Sequence, residues 1–390
     1  MSTNGPRTYT SHIVRYAAGQ FLANAAYDLA LKPVTELDIM KVAGSENTGH
    51  HAEYERYLVH PFKLKKGMFA YMLVPKDKSL KDVKVTFRGT DFDDLHSAAI
   101  NLETWGPGTA SFEAEKDNIF KTFEQVIEQH YGSALPDLTL EVCGHSQGAA
   151  LSQLFVTEFL TKRAFNDKFS AFKNLNMTIF NSPGVPHSTA KAAMEAVLLQ
   201  WYEQRPMNIV ANYCMVGGDA VQTTGNNSIF AMLSPFLATV NLLKVDIGME
   251  GSWLKGIRLA DGLQPIELWD TLWNIWFATL GAHTSLKFYD PETKNIKIGF
   301  NYQYYSNQNP GDIPTIRKEL LNKALLSQYA LFLLKLPLHH FIENKKDYEL
   351  WFGKTYVNSA YQKLSSWFSR HADKIAQEDL QSAKTFSSKN

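Results

Sequence analysis

The sequence predicts an α/β chain, a sheet flanked by helices, and three observations predict it. Residues 138–143 read as a buried strand, a helix-like run starts at Gln147, and Gly144-His145-Ser146-Gln147-Gly148, a G-x-S-x-G pattern, lies between them. Other strand-like runs occupy residues 67–75, 81–87, 176–181 and 208–216, several closed by turn residues. Apolar residues recur at helical spacing in two places: Ile13, Ala17, Phe21, Ala25 and Leu29, then Ile119, Phe120, Phe123, Val126 and Ile127.

Composition sets the bounds. A chain of 390 residues, 45% hydrophobic and 20% charged, suits one large domain with additions, or two domains, with ample core. Lys and Arg balance Asp and Glu at 39 each, so the basic excess of a nucleic-acid binder is missing and no such partner is expected. The two cysteines, Cys143 and Cys214, lie in apolar strand-like runs and read as buried free thiols, without a disulfide framework. The N-terminal residues lack the apolar core of a cleaved signal, and no run reaches the roughly 18 apolar residues of a membrane-spanning helix. The expectation is a soluble protein, cytoplasmic or exported without a cleaved signal. His50 and His51 sit in a polar loop with no matching ligand spacing after them, so no metal is expected, and no cofactor.

In chain order, residues 11–31 predict one or two helices. Residues 67–75 and 81–87, with Pro75-Lys76-Asp77-Lys78 between them, predict a hairpin feeding the main sheet. The second of these strands ends in Phe87-Arg88-Gly89-Thr90. Residues 91–112 leave the sheet, and residues 113–131 predict a helix packed on its face. The strand and turn around Ser146 follow. A serine on so sharp a strand-to-helix turn has little room, and Gly144 and Gly148 supply the missing bulk on either side. The turn raises the hydroxyl above the sheet end, where the amides and dipole of the next helix favour negative charge. That helix is expected to run to about Leu160. His145, inside the turn, is too near in sequence to reach back to Ser146 and is read as packing behind it.

FRGT at a strand end, followed about fifty residues later by GHSQGAA after another strand, resembles the class 3 lipases of the α/β-hydrolase fold. The resemblance covers roughly residues 65–295. It implies a mostly parallel central sheet flanked by helices, a serine nucleophile at Ser146, and an oxyanion hole formed by the amides of Thr90 and Gln147. Two fixed N–H donors aimed at a developing oxyanion lower an acyl-transfer barrier by a few kcal/mol. The family often carries an Asp-Trp pair after its arginine-glycine motif; this chain has Asp94-Leu95, with Trp105 further on.

The remaining site residues follow from the order Ser, Asp, His in this fold. Residues 208–216 end in Gly217-Gly218-Asp219, and Asp219 takes the role of orienting acid; a solvent-facing turn aspartate is the alternative. Beyond it lie His283, His339, His340 and His371. His283, in a short loop before Phe288 and Tyr289, is the expected base, with His339-His340 as the second choice. His96 and His187 precede Asp219 and read as surface residues.

Two additions complete the chain. Residues 228–280 are expected to form a helical cap, in which Trp269, Trp273 and Trp276 repeat at helical spacing. That stripe suits an acyl pocket, peripheral membrane contact or ordinary core packing. The expected division is a hydrolase core over residues 1–227, the cap, the end of the core at 281–305 and a helical C-terminal extension over 306–390. The function so implied is hydrolysis of acyl-lipid esters, by a phospholipase A, a lysophospholipase or a glyceride lipase. Acyl transfer to another alcohol, and a catalytically inactive binding module on the same scaffold, are the alternatives.

Overall fold

The computed structural model describes residues 56–62, 64, 68–89, 108–132, 135–165, 167–217, 219, 222, 227–246, 289–290, 295–296 and 301–321, with single positions between 16 and 26. The chain divides into two compact units, Met1–Gln328 and Tyr329–Asn390, and all described residues belong to the first.

An eight-stranded sheet organises this unit. Its strands are β1 (Tyr57–Pro61), β2 (Ala70–Pro75), β3 (Asp82–Phe87), β4 (Leu138–His145), β5 (Phe172–Phe180), β6 (Asn208–Val216), β7 (Thr239–Asp246) and, after a small hairpin of β8 (Tyr289–Asp290) and β9 (Asn295–Ile296), β10 (Asn301–Ser306). The spatial order is β1-β2-β3-β4-β5-β6-β7-β10. Strands β3 to β7 run parallel, whereas β1, β2 and β10 are antiparallel at the two edges. The β2–β3 pair is the hairpin expected from the Pro75–Lys78 turn.

Parallel neighbours need crossovers, and the helices α1 (Thr109–Tyr131), α2 (Gln147–Phe165) and α3 (His187–Tyr202) supply those from β3 to β6. Because β3 to β6 are laid down in one direction, right-handed crossovers put all three helices on one face. One large core unites them with alternate strand residues, among them Val83, Val85, Leu140, Val142, Met177, Ile179, Ala211 and Leu242. Phenylalanines fill its centre: Phe120 stacks on Phe155 at 5.0 Å, and Phe159 meets Phe172 edge-on at 5.2 Å. The other face carries a smaller cluster in which Leu22, Ala25 and Ala26 of the N-terminal helical residues pack on Tyr57, Tyr71, Leu73 and Cys143.

Two expectations change. The apolar run after residue 228 does not begin a helical cap: residues 239–246 are β7, a sheet strand buried at Val240, Leu242 and Val245. With β6 on one side and β10 on the other, it is an interior strand of the sheet. Nor does a separate extension start at 306. β10 closes the sheet against β7, and the following helix α4 (Ile313–Leu321) buries Ile316 and Leu320 in the main core. The rest of the expected cap and extension lies outside the described residues.

Candidate active site

Ser146 is the single residue between β4 and α2, and its φ of 58° is left-handed. For a side chain with a Cβ that backbone costs about 1 kcal/mol or more, so the surroundings must hold it there. Its amide donates to the Phe180 carbonyl at 3.0 Å, and its carbonyl accepts from the amides of Ala149 at 2.9 Å and Ala150 at 3.3 Å. The flanking glycines are required by contact. A Cβ on Gly144 would lie 2.3 Å from the Gly148 carbonyl oxygen, and one on Gly148 would lie 2.2 Å from the Phe87 carbonyl oxygen. The Ser152 hydroxyl, one turn into α2, bridges the carbonyls of Cys143 at 2.9 Å and Gly148 at 2.8 Å, stitching the helix to the strand it leaves.

The Gly148 contact brings the end of β3 against the start of α2. Arg88 leaves β3 at this point: its amide donates to the Phe69 carbonyl at 2.9 Å, and its buried guanidinium stacks 4.1 Å over the Phe69 ring. Phe87 and Arg88 of the FRGT segment therefore run beside the serine turn. Gln147 opens α2 and is buried. Thr90, the other expected oxyanion donor, lies outside the described residues.

Asp219 follows β6 at the same sheet edge as Ser146. One strand, β5, intervenes, so the two strand ends are about 10 Å apart. The carboxylate is buried, with 6% of the residue exposed, and its Oδ2 accepts from Gln222 Nε2 at 3.1 Å. That burial does not fit a solvent-facing turn aspartate. Gln222 Nε2 also donates to Asn181 Oδ1 at 3.0 Å, and no local sequence pattern links Asn181 and Gln222 to Asp219. The only available sign was an asparagine just past an apolar strand, a residue type that tolerates the left-handed backbone Asn181 adopts at φ 48°.

His145 is buried as the last residue of β4, and exposed His187 opens α3, where its Nδ1 lies 3.0 Å from Asn227 Nδ2. Cys143, three residues before the serine, is a buried free thiol whose pKa burial pushes up to about 12, which leaves no thiolate to compete as a nucleophile. Cys214 is likewise free and buried. His283, His339, His340, Trp269, Trp273 and Trp276 lie outside the described residues. Among the described residues no group of three His, Cys, Asp or Glu side chains suits a metal ion, and no helix is long and apolar enough to cross a membrane.

A mostly parallel eight-stranded sheet, helices on both faces and a left-handed serine between glycines at a strand-to-helix turn define an α/β-hydrolase fold. No family model matches the chain, and no curated protein does. Solved structures similar to it include the lipase from Rhizopus microsporus var. chinensis, at 16% identity over 62% of this chain and 76% of that one, with a TM-score of 0.38. The native propeptide complex of Rhizomucor miehei lipase aligns at 14% identity over 56% and 64%, with a TM-score of 0.37. A member of a family of fungal lipases with a buried polar cluster aligns at 19% over 60% and 80%, with a TM-score of 0.38. The fold assignment rests on the strand order and the serine turn themselves.

Proposed function

We propose that this chain is a serine ester hydrolase acting on acyl lipids. One observation carries the reading: Ser146 is held in a left-handed turn that packing against the end of β3 over-determines, a strain that an ordinary loop serine would not retain. In the proposed reaction His283, steadied by Asp219, takes the Ser146 proton as Oγ attacks the ester carbonyl. The amides of Thr90 and Gln147 hold the oxyanion. The alcohol leaves with the proton returned by His283, and water then attacks the acyl-enzyme by the same route in reverse. The class resemblance at FRGT and GHSQGAA, and the tryptophan stripe at Trp269, Trp273 and Trp276, support phospholipid, lysophospholipid or glyceride esters as substrates.

A fluorophosphonate probe tests the reading, with detergent present and a known serine hydrolase as control. The expected result is covalent labelling of wild type, none of Ser146→Ala, and loss of labelling and esterase turnover in His283→Ala. Unlabelled wild type beside a labelled control would instead leave a binding module on a hydrolase scaffold. His283→Ala with near-full activity, beside an inactive His340→Ala, would move the base to the second choice. Labelled lipid supplied with an alcohol acceptor separates hydrolysis from transfer, since a transferase yields mainly acylated acceptor.

A further inference from the structure

Beside Asp219 lies a buried amide network that the proposed reaction does not yet use. Gln222 Nε2 sits 3.1 Å from Asp219 Oδ2, 3.0 Å from Asn181 Oδ1 and 2.9 Å from the Val216 carbonyl oxygen. All three neighbours face it as acceptors, so the end of Gln222 among them must be its nitrogen; the amide orientation is fixed by chemistry. Asn181 Oδ1 is fixed in the same way, because its other partner is the Val216 amide, a donor at 3.0 Å. Asn181 is itself locked: it is fully buried, left-handed, and its amide donates to the Cys214 carbonyl at 2.9 Å. The preceding residue, Phe180, accepts the Ser146 amide. A continuous path of hydrogen bonds, one peptide unit and the Asn181 side chain thus runs from the serine turn, through the end of β5, to the acid after β6.

We propose that Gln222, oriented by Asn181, is the positioning residue that fixes the Asp219 carboxylate relative to Ser146. This rests on the reading of Ser146 and Asp219 as nucleophile and orienting acid. Two N–H bonds shared among three acceptors hold the amide against rotation, so that it presents a fixed donor to the carboxylate. Neither residue touches the substrate or the reacting atoms in this scheme. Asn181 spans the gap between β5 and β6 with its own side chain, and so ties the acid loop to the strand that accepts the Ser146 amide.

The test uses the full chain with three glutamine variants, a soluble ester substrate and fluorophosphonate labelling. Gln222→Met keeps the shape and removes the donor; kcat should fall roughly tenfold to hundredfold with KM nearly unchanged. Gln222→Glu replaces the donor by a carboxyl against Asp219. Ionised, that carboxyl repels Asp219 and cannot donate; protonated, it donates in the amide's place. Its activity relative to wild type should therefore recover as pH falls, a profile that Gln222→Met does not show. Gln222→Asn, which keeps an amide on a shorter stem, should retain more turnover than Gln222→Met. Thermal melting at each pH separates a lost fold from a lost position. Wild-type kcat and an unchanged pH profile in both Gln222→Met and Gln222→Glu would overturn the inference, as would losses that track melting alone. Failure of the hydrolase reading looks different: wild type itself is then neither labelled nor active.

Discussion

Gly148 shows how little space surrounds the candidate nucleophile. Its Cα faces the Phe87 carbonyl oxygen and the Arg88 carbonyl carbon, at 2.2 and 2.7 Å from where a Cβ would stand. Both are backbone atoms, so neither can rotate away, and an added methyl must push the start of α2 off the end of β3. Gly148→Ala is expected to destabilise the fold by about 1–3 kcal/mol, the usual range for overpacking, read as a lower midpoint in urea. Fluorophosphonate labelling of the folded fraction should slow as well, because the displaced segments carry Gln147 and Arg88. An unchanged midpoint would mean that the two segments are not in contact.

At the scale of elements, α1 shows how a helix end docks on a hairpin. His130, 9% exposed, bonds Pro75, whose only backbone hydrogen-bonding group is its carbonyl; His130 Nε2 is buried without a partner, so Nδ1 is the donor. The Tyr131 hydroxyl donates to the Leu80 carbonyl at 3.1 Å, so both contacts grip the β2–β3 turn. A second proton would sit on the buried Nε2 with no acceptor, facing Lys78 and His60. Burial first, and those neighbours after it, hold the His130 pKa below its usual value, and burial does the same for His60. The folded chain thus binds fewer protons than the unfolded one. Stability from His130 is present above the unfolded value near 6.5 and is lost as pH falls below it. His130→Gln keeps a donor for Pro75 and cannot be charged. Its melting temperature should fall less than that of wild type between pH 7 and pH 5, and equal slopes would refute the assignment.

For the whole molecule, the unit Met1–Gln328 closes its own sheet and core. β10 completes the sheet at one edge, α4 caps the core with Ile316 and Leu320, and Lys244 pairs with Glu319 at 3.1 Å. A chain ending at Gln328 should therefore fold and melt cooperatively. It also lacks His339 and His340, so labelling of its Ser146 at the wild-type rate would remove both as bases. A truncated chain that folds but resists the probe would point to the remaining 62 residues of the second unit.

Local patterns carried most of what was legible. The strand–GHSQG–helix run announced the serine turn, because glycine is the one residue small enough for two such backbone contacts. The 208–216 apolar run announced β6 to the residue, and the periodicity of 113–131 announced α1 apart from its first turn. The apolar run after 228 reads as readily as helix as strand, because a short, interrupted apolar stretch shows neither period cleanly; only the pairing of residues 239–246 with β6 and β10 decides between them. Asn181 and Gln222 stand 41 positions apart and make no local pattern. Their juxtaposition exists only because parallel strands deliver β5 and β6 to one edge, so a buried donor and a buried carboxylate meet there. Sequence fixed the residue types and the turn, through sterics that act between near neighbours. Which strands adjoin, which polar groups share a buried site and how the acid is held were decided by the sheet order, which brings remote segments within hydrogen-bond reach.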